Sequence, residues 1–126
     1  MTVSQLHDKI NSSPVVPHLS HLVDGAGLTF VSGQLAFVDG QIMEGGIAEQ
    51  TAQVLVNIES ILAERGLTRQ NIVKTTVWIT RRSDFAGFNT AYAAFFGDLV
   101  RPARSTVIAE LALPDALVEI EAIATM

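Results

Sequence analysis

The chain reads as an α+β fold, a mixed β-sheet with two helices packed on one of its faces. Three observations predict this. Short β-rich runs bounded by turn residues alternate with two stretches of helical period. Each helical stretch carries a single apolar stripe, so each has one face to bury. The last β-rich run alternates cleanly, with Val118, Ile120, Ala122 and Ala124 on one face, and such a face is what two amphipathic helices cover.

Taken in order, residues 28–33 form a β-branched and aromatic run between Gly27 and Gly33, the pattern of a strand. Residues 35–38 follow, then Asp39-Gly40 as a two-residue hairpin signal, then residues 41–43, so three strands are expected to form a meander. From Ile47 the apolar positions are Ile47, Val54, Leu55, Ile58, Ile61 and Leu62, with Thr51 in the remaining i+4 slot. That spacing predicts a helix, preceded by Gly45-Gly46 and stopped by Gly66 after Arg65. Residues 72–80 are rich in β-branched side chains, with Val73, Thr75, Val77 and Ile79 on one face and Lys74, Thr76 and Trp78 on the other. Ser83 is placed as an N-cap with Asp84 in the first turn of the second helix. Phe85, Phe88, Tyr92, Phe95 and Phe96 recur every three or four residues as its core stripe, and Gly97 closes it. Strands over 105–111 and 117–124, joined by a turn at 113–115, complete the order β-β-β-α-β-α-β-β. The span from Ile42 through the first helix to Ile72 suits a right-handed crossover.

The chain has 126 residues, 48% of them hydrophobic and 17% charged, against a usual charged share of ~25%. The length suits one domain over residues 1–126. Ordinary apolar content with low charge implies apolar surface that another subunit covers. The absence of cysteine excludes disulfide scaffolds, thiol catalysis and cysteine-ligated metal. A net charge of −5 provides no overall basic field for a phosphate backbone, so nucleic acid is an unexpected partner. Residues 1–63 carry one cation, Lys9, against six anions, whereas residues 64–126 carry seven of each. The N-terminal residues lack a basic start followed by an apolar run, and no apolar stretch approaches the ~20 residues that span a bilayer. A cytoplasmic protein is therefore expected. His7, His18 and His21 cluster near the start, but Pro17 and the lack of a suitably spaced carboxylate argue against a metal site. Gly25-Ala26-Gly27 is no dinucleotide fingerprint, because neither a third glycine nor a helix follows it.

The polar residues of the last strands are the candidates for chemistry. Leu117, Glu119, Glu121 and Ile123 share the face opposite the apolar one, and the two carboxylates stand ~7 Å apart. Reading the preceding strand with like parity puts Ser105, Val107 and Ala109 inward and Arg104, Thr106, Ile108 and Glu110 on the face of the glutamates. One sheet face is then helix-covered, and the other is a subunit interface with a polar site embedded in it. Periodicity alone leaves a second reading open, in which the glutamates are ordinary surface charge and Arg104 pairs with one of them across the hairpin.

The motifs Val31-Ser32-Gly33-Gln34, Ile72-Val73-Lys74-Thr75-Thr76-Val77, Asn89 and Tyr92 within residues 85–96, Pro102-Ala103-Arg104-Ser105-Thr106 and Val118-Glu119-Ile120-Glu121-Ala122-Ile123-Ala124 closely resemble the RidA/YjgF family. The resemblance covers residues 28–125 in register. It implies the chorismate-mutase-like fold and a homotrimer with sites in the clefts between subunits. It also implies a cofactor-free hydrolysis of reactive 2-enamino or 2-imino acids to 2-oxo acids and ammonia. Carried over by position, Arg104 is the clamp for the substrate carboxylate, a task that suits its planar fork. Glu119 corresponds to the glutamate that orients water and moves protons. Ser32, Gly33, Asn89 and Thr106 correspond to residues around the substrate. Two departures stand out: Leu19 occupies a position where many members have tyrosine, and Thr106 stands where cysteine is common. An apolar wall in place of a hydrogen-bonding one points to a bulkier or more apolar substrate.

Two other function classes stand beside a deaminase of imino or enamino acids. One is a non-catalytic regulatory trimer that holds a small carboxylate. The other, disfavoured by the charge and by only two lysines, is an endoribonuclease or translation inhibitor.

Overall fold

The computed structural model describes residues 18–126, so His7, Lys9 and Pro17 lie outside the described residues. Seven strands and two helices follow one another as β1 (Leu22–Gly25), β2 (Leu28–Gln34), β3 (Phe37–Val38), β4 (Gln41–Ile42), α1 (Ile47–Ala63), β5 (Ile72–Ile79), α2 (Phe85–Phe96), β6 (Ala103–Ile108) and β7 (Val118–Thr125). Five strands make one mixed sheet in the order β1-β2-β7-β5-β6. Its pairings are antiparallel except for β5–β6, which is parallel.

The α+β layer with two helices on one face is the architecture the sequence predicts. The core lies between the sheet and the helices. Val54, Leu55, Ile58 and Leu62 of α1 and Phe88, Tyr92 and Phe96 of α2 are buried against Val77, Ile79, Val118, Ile120, Ala122 and Ala124. Burying each large apolar side chain contributes about 1.5–3 kcal/mol, so this interface sets which faces of β5 and β7 turn inward. Gly66 and Gly97, at φ +71° and +56°, stop the two helices in the left-handed region that suits glycine.

Several details differ from the sequence reading. One strand, β1, was not anticipated, because Asp24 and Gly25 make up half of it and disfavour strand. It forms a hairpin with β2 through Ala26-Gly27, both at positive φ, so this glycine-bounded segment serves as a tight turn. β3 and β4 pair only with each other, as a separate hairpin rather than a continuation of the meander. The register of β5 shifts between Ile72 and Lys74, so Ile72 takes the inward position and Val73 is exposed. A 3₁₀ turn over Arg82–Asp84 leads into α2, and Ser83 makes no cap; Arg81 instead pairs with Asp84. The aromatic stripe of α2 also divides. Phe88, Tyr92 and Phe96 enter the core, Phe85 is exposed, and Phe95 lies 3.9 Å below the guanidinium carbon of Arg69. β6 starts two residues earlier than expected and ends at Ile108.

Gln50 of α1 sits inside the apolar face, 2% exposed. Its side chain donates to the Asp115 carbonyl at 3.1 Å and accepts from the Leu117 N–H at 2.9 Å, fastening the loop that enters β7. Among the described residues no helix is long and apolar enough to cross a membrane.

Candidate functional site

Arg104 enters the molecule from β6, the edge strand. In the β5–β6 register it stands beside Thr75, which in turn faces Ala122 of β7. Thr75 and Ala122 are both buried under the helices, so Arg104 lies on the helix-covered face. Its guanidinium carbon sits 4.9 Å from the Tyr92 ring centre and 5.1 Å from that of Phe88. An arginine placed over aromatic faces is attracted by their negative quadrupole while its in-plane N–H donors stay available. The Tyr92 hydroxyl is anchored by a 2.7 Å hydrogen bond with Thr75 Oγ1, in the buried layer beneath. Burial pushes the Tyr92 phenol above its ordinary pKa, partly offset by that bond and by the charge of Arg104.

Arg104 borders a recess of about 450 Å³, together with Asn89, Tyr92, Ala93, Arg101 and Pro102. Among the described residues it forms no ion pair, whereas Arg65, Arg69 and Arg81 pair with Asp24, Glu59 and Asp84. A cation held on an aromatic platform and facing a recess that no described carboxylate lines is fitted to bind an anion.

Glu119 belongs to the other face. It pairs across the sheet with Trp78, and Trp78 in turn with Val107, a row that points away from the helices. The assignment of Arg104 and Thr106 to the face of Glu119 is therefore overturned. Thr106 pairs with Val77, a core residue, and Ser105 and Val107 occupy the open face instead. The cause is the partner strand. β6 runs parallel beside β5 after the α2 crossover, so there is no β6–β7 hairpin, and the pairing of Arg104 with a glutamate across one is excluded as well.

Around Glu119 the chain is built for close approach. Between the pairs Val31–Ala122 and Gln34–Ile120, two residues of β2, Ser32 and Gly33, oppose one of β7, which is a bulge. A Cβ at Gly33 would overlap Oε2 of Glu119, so glycine there lets the carboxylate lie against the backbone. Burial raises the Glu119 carboxyl above its ordinary pKa, and the charge of Glu121 adds to the rise. Such a group holds a proton near neutral pH more readily than a solvated glutamate. The Ser32 hydroxyl donates to the Ser20 carbonyl at 2.6 Å, which ties in the segment carrying Leu19, itself 54% exposed.

The expected site residues thus fall into two groups. Arg104, Asn89 and Thr106 lie on the helix side at the β6 edge. Ser32, Gly33 and Glu119 gather at the β2 bulge on the open side, with Leu19 adjoining. β6 and β7 are separated by β5, a lateral step of ~10 Å besides the change of face. A small acid bound to Arg104 is beyond the reach of Glu119 in the same chain. Phe88, Tyr92 and Thr75, the support under Arg104, are not among the site residues the sequence points to, because aromatics at helical spacing read as core and Thr75 as one of a strand's β-branched positions. His21, considered as a metal ligand, hydrogen-bonds Glu64 at 3.2 Å.

A family model described as Endoribonuclease L-PSP matches residues 10–126. A RutC family protein of Aquifex aeolicus is 44% identical over 115 residues, covering 88% of this chain and 90% of the relative. Among solved structures, YyfA of Yersinia pestis, described as a protein of unknown function of the conserved Rid protein family, superposes with a TM-score of 0.80 at 37% identity. That likeness covers 89% of this chain and 90% of the other. TdcF of Escherichia coli with bound serine superposes with a TM-score of 0.80 at 33% identity, covering 89% and 91%.

Proposed function

The chain belongs to the Endoribonuclease L-PSP family, which is the RidA/YjgF family, and from that premise we propose that it is a cofactor-independent hydrolytic deaminase of reactive 2-enamino and 2-imino acids. The observation that carries the reading is Arg104, a cation without a carboxylate partner among the described residues, seated on Phe88 and Tyr92 at the wall of a recess. Its two parallel donors clamp the substrate carboxylate, and Asn89 offers amide hydrogen bonds beside it. Glu119 is the general acid and base. Because it lies on the far face of its own sheet, the Glu119 that serves a given Arg104 comes from a second copy. The working form is a homotrimer with its sites between subunits. The mixed open face supports this, since Phe30 and Val107 are exposed there beside Trp78 and Ile123.

The chemistry then follows from a carboxyl of raised pKa. Protonated Glu119 gives its proton to the enamine β-carbon, which leaves an iminium at C2 and an ionised Glu119. The carboxylate draws a proton from a water as the water oxygen bonds to C2. The carbinolamine so formed takes that proton on nitrogen, its C–N bond breaks as the hydroxyl proton passes to Glu119, and ammonia leaves a 2-oxo acid with Glu119 protonated again. One water is consumed for each ammonia released, and no electron acceptor is needed.

Purified protein is expected to accelerate 2-oxo acid release from enzymatically generated 2-aminoacrylate, and Arg104→Ala to abolish the acceleration. Equal rates with and without protein, across several imino acids, would overturn the proposal. The serine in the TdcF structure favours a second reading, a trimer that binds a small carboxylate without turning it over. That reading predicts ligand binding lost in Arg104→Ala with no turnover in the wild type. An endoribonuclease role, which the family's name carries, runs against the net charge of −5 and would show a steep salt dependence. We place the protein in the cytoplasm; its recovery in an organellar fraction would refute that placement.

A further inference from the structure

The recess bordered by Arg104 is lined by a second arginine, Arg101. Asn89, Tyr92, Ala93 and Pro102 complete its lining, so among the described residues of the same chain no carboxylate faces the pair. Elsewhere the arginines of the described chain are mostly met by acids, as Arg65 by Asp24, Arg69 by Glu59 and Arg81 by Asp84. Among the described residues Arg101 makes one side-chain hydrogen bond, Nη2 donating to the Gly97 carbonyl at 3.4 Å. That length is beyond a good N–H···O bond and leaves most of its five donors unused.

Two cations sharing a recess repel each other, and an anion between them removes the repulsion. One carboxylate satisfies the fork of Arg104. Arg101, three residues earlier and so within ~10 Å along the backbone, can close on a second anionic group of the same small molecule. Resting on the deaminase reading above, we infer that the preferred substrates are 2-imino or 2-enamino dicarboxylates, with Arg101 the specificity-determining residue that binds the side-chain carboxylate. Arg101 acts at long reach from an exposed position. Its effect is therefore modest and screened by salt, about fivefold in affinity at low ionic strength.

Calorimetry with 2-oxoglutarate and 2-oxopentanoate tests this, because these stable product-like acids share a five-carbon chain and differ in the terminal carboxylate. The wild type is expected to bind 2-oxoglutarate about fivefold more tightly at low salt. Arg101→Gln is expected to erase that difference while leaving 2-oxopentanoate affinity unchanged, Arg101→Lys to keep most of it, and Arg104→Gln to weaken both acids. A purely structural role for Arg101 at the end of α2 would shift the thermal midpoint without changing the affinity ratio. Equal affinities in the wild type, binding of neither acid, or an equal loss of both in Arg101→Gln would overturn the inference. The deaminase reading is judged separately by turnover, so discrimination without imine hydrolysis would sustain Arg101 and refute the enzyme.

Discussion

Glu119 has its pKa raised by burial and by Glu121, and that sets a direction for both activity and stability. The folded chain holds this proton more tightly than the unfolded one. The associated stability is complete below the unfolded pKa and is lost as pH rises through the higher folded value. Glu119→Gln mimics the protonated form and removes the loss. Urea midpoints of variant and wild type should coincide near pH ~4 and separate in favour of the variant toward pH 8. Deaminase turnover should fall about 100-fold in the same variant, since amide cannot carry the proton. A variant less stable than wild type at pH 8 would contradict the assignment of Glu119 as a destabilised anion.

Among the elements, α1 does more than cover the sheet. Gln50 replaces an apolar residue on its buried face and satisfies two backbone groups of the loop before β7. Gln50→Ala leaves the Asp115 carbonyl and the Leu117 N–H without that partner, at a cost of about 1–3 kcal/mol for each group that stays buried. Chemical denaturation should register a loss of about 2–3 kcal/mol, and amide exchange should quicken at Leu117 before it does in β5. Unchanged exchange would mean that the loop is held by other contacts. The helix itself was legible in the sequence, since Val54, Leu55, Ile58 and Leu62 repeat at its own period. Gln50 was not, because a polar residue one step off an apolar stripe reads as its solvated border.

Across the molecule, the separation of Arg104 and Glu119 makes assembly a condition of the proposed activity. Light scattering should give a trimer, and a monomer would remove the shared site. A sharper test mixes two inactive chains, Arg104→Ala and Glu119→Gln, by refolding them together. If each site takes its arginine from one copy and its glutamate from the next, random closed trimers regain about a quarter of their sites. Were both residues drawn from one chain, mixing would restore nothing.

Side-chain period along the chain was enough for the α+β class, the two helices and the buried face of β7, and the motifs nominated the candidate site residues. Those are local properties, written in side-chain period and spacing along one stretch of chain. The parity of β6, the existence of β1 and the division of the candidate site residues into two groups depend on contacts between distant segments. Both faces of β6 mix polar with apolar residues, so its alternation is ambiguous until a partner strand is known. Its parallel pairing with β5, in the register that sets Arg104 beside Thr75, is a long-range choice driven by packing α2 on the sheet. That register puts the guanidinium on one side of the sheet and the Glu119 carboxylate on the other.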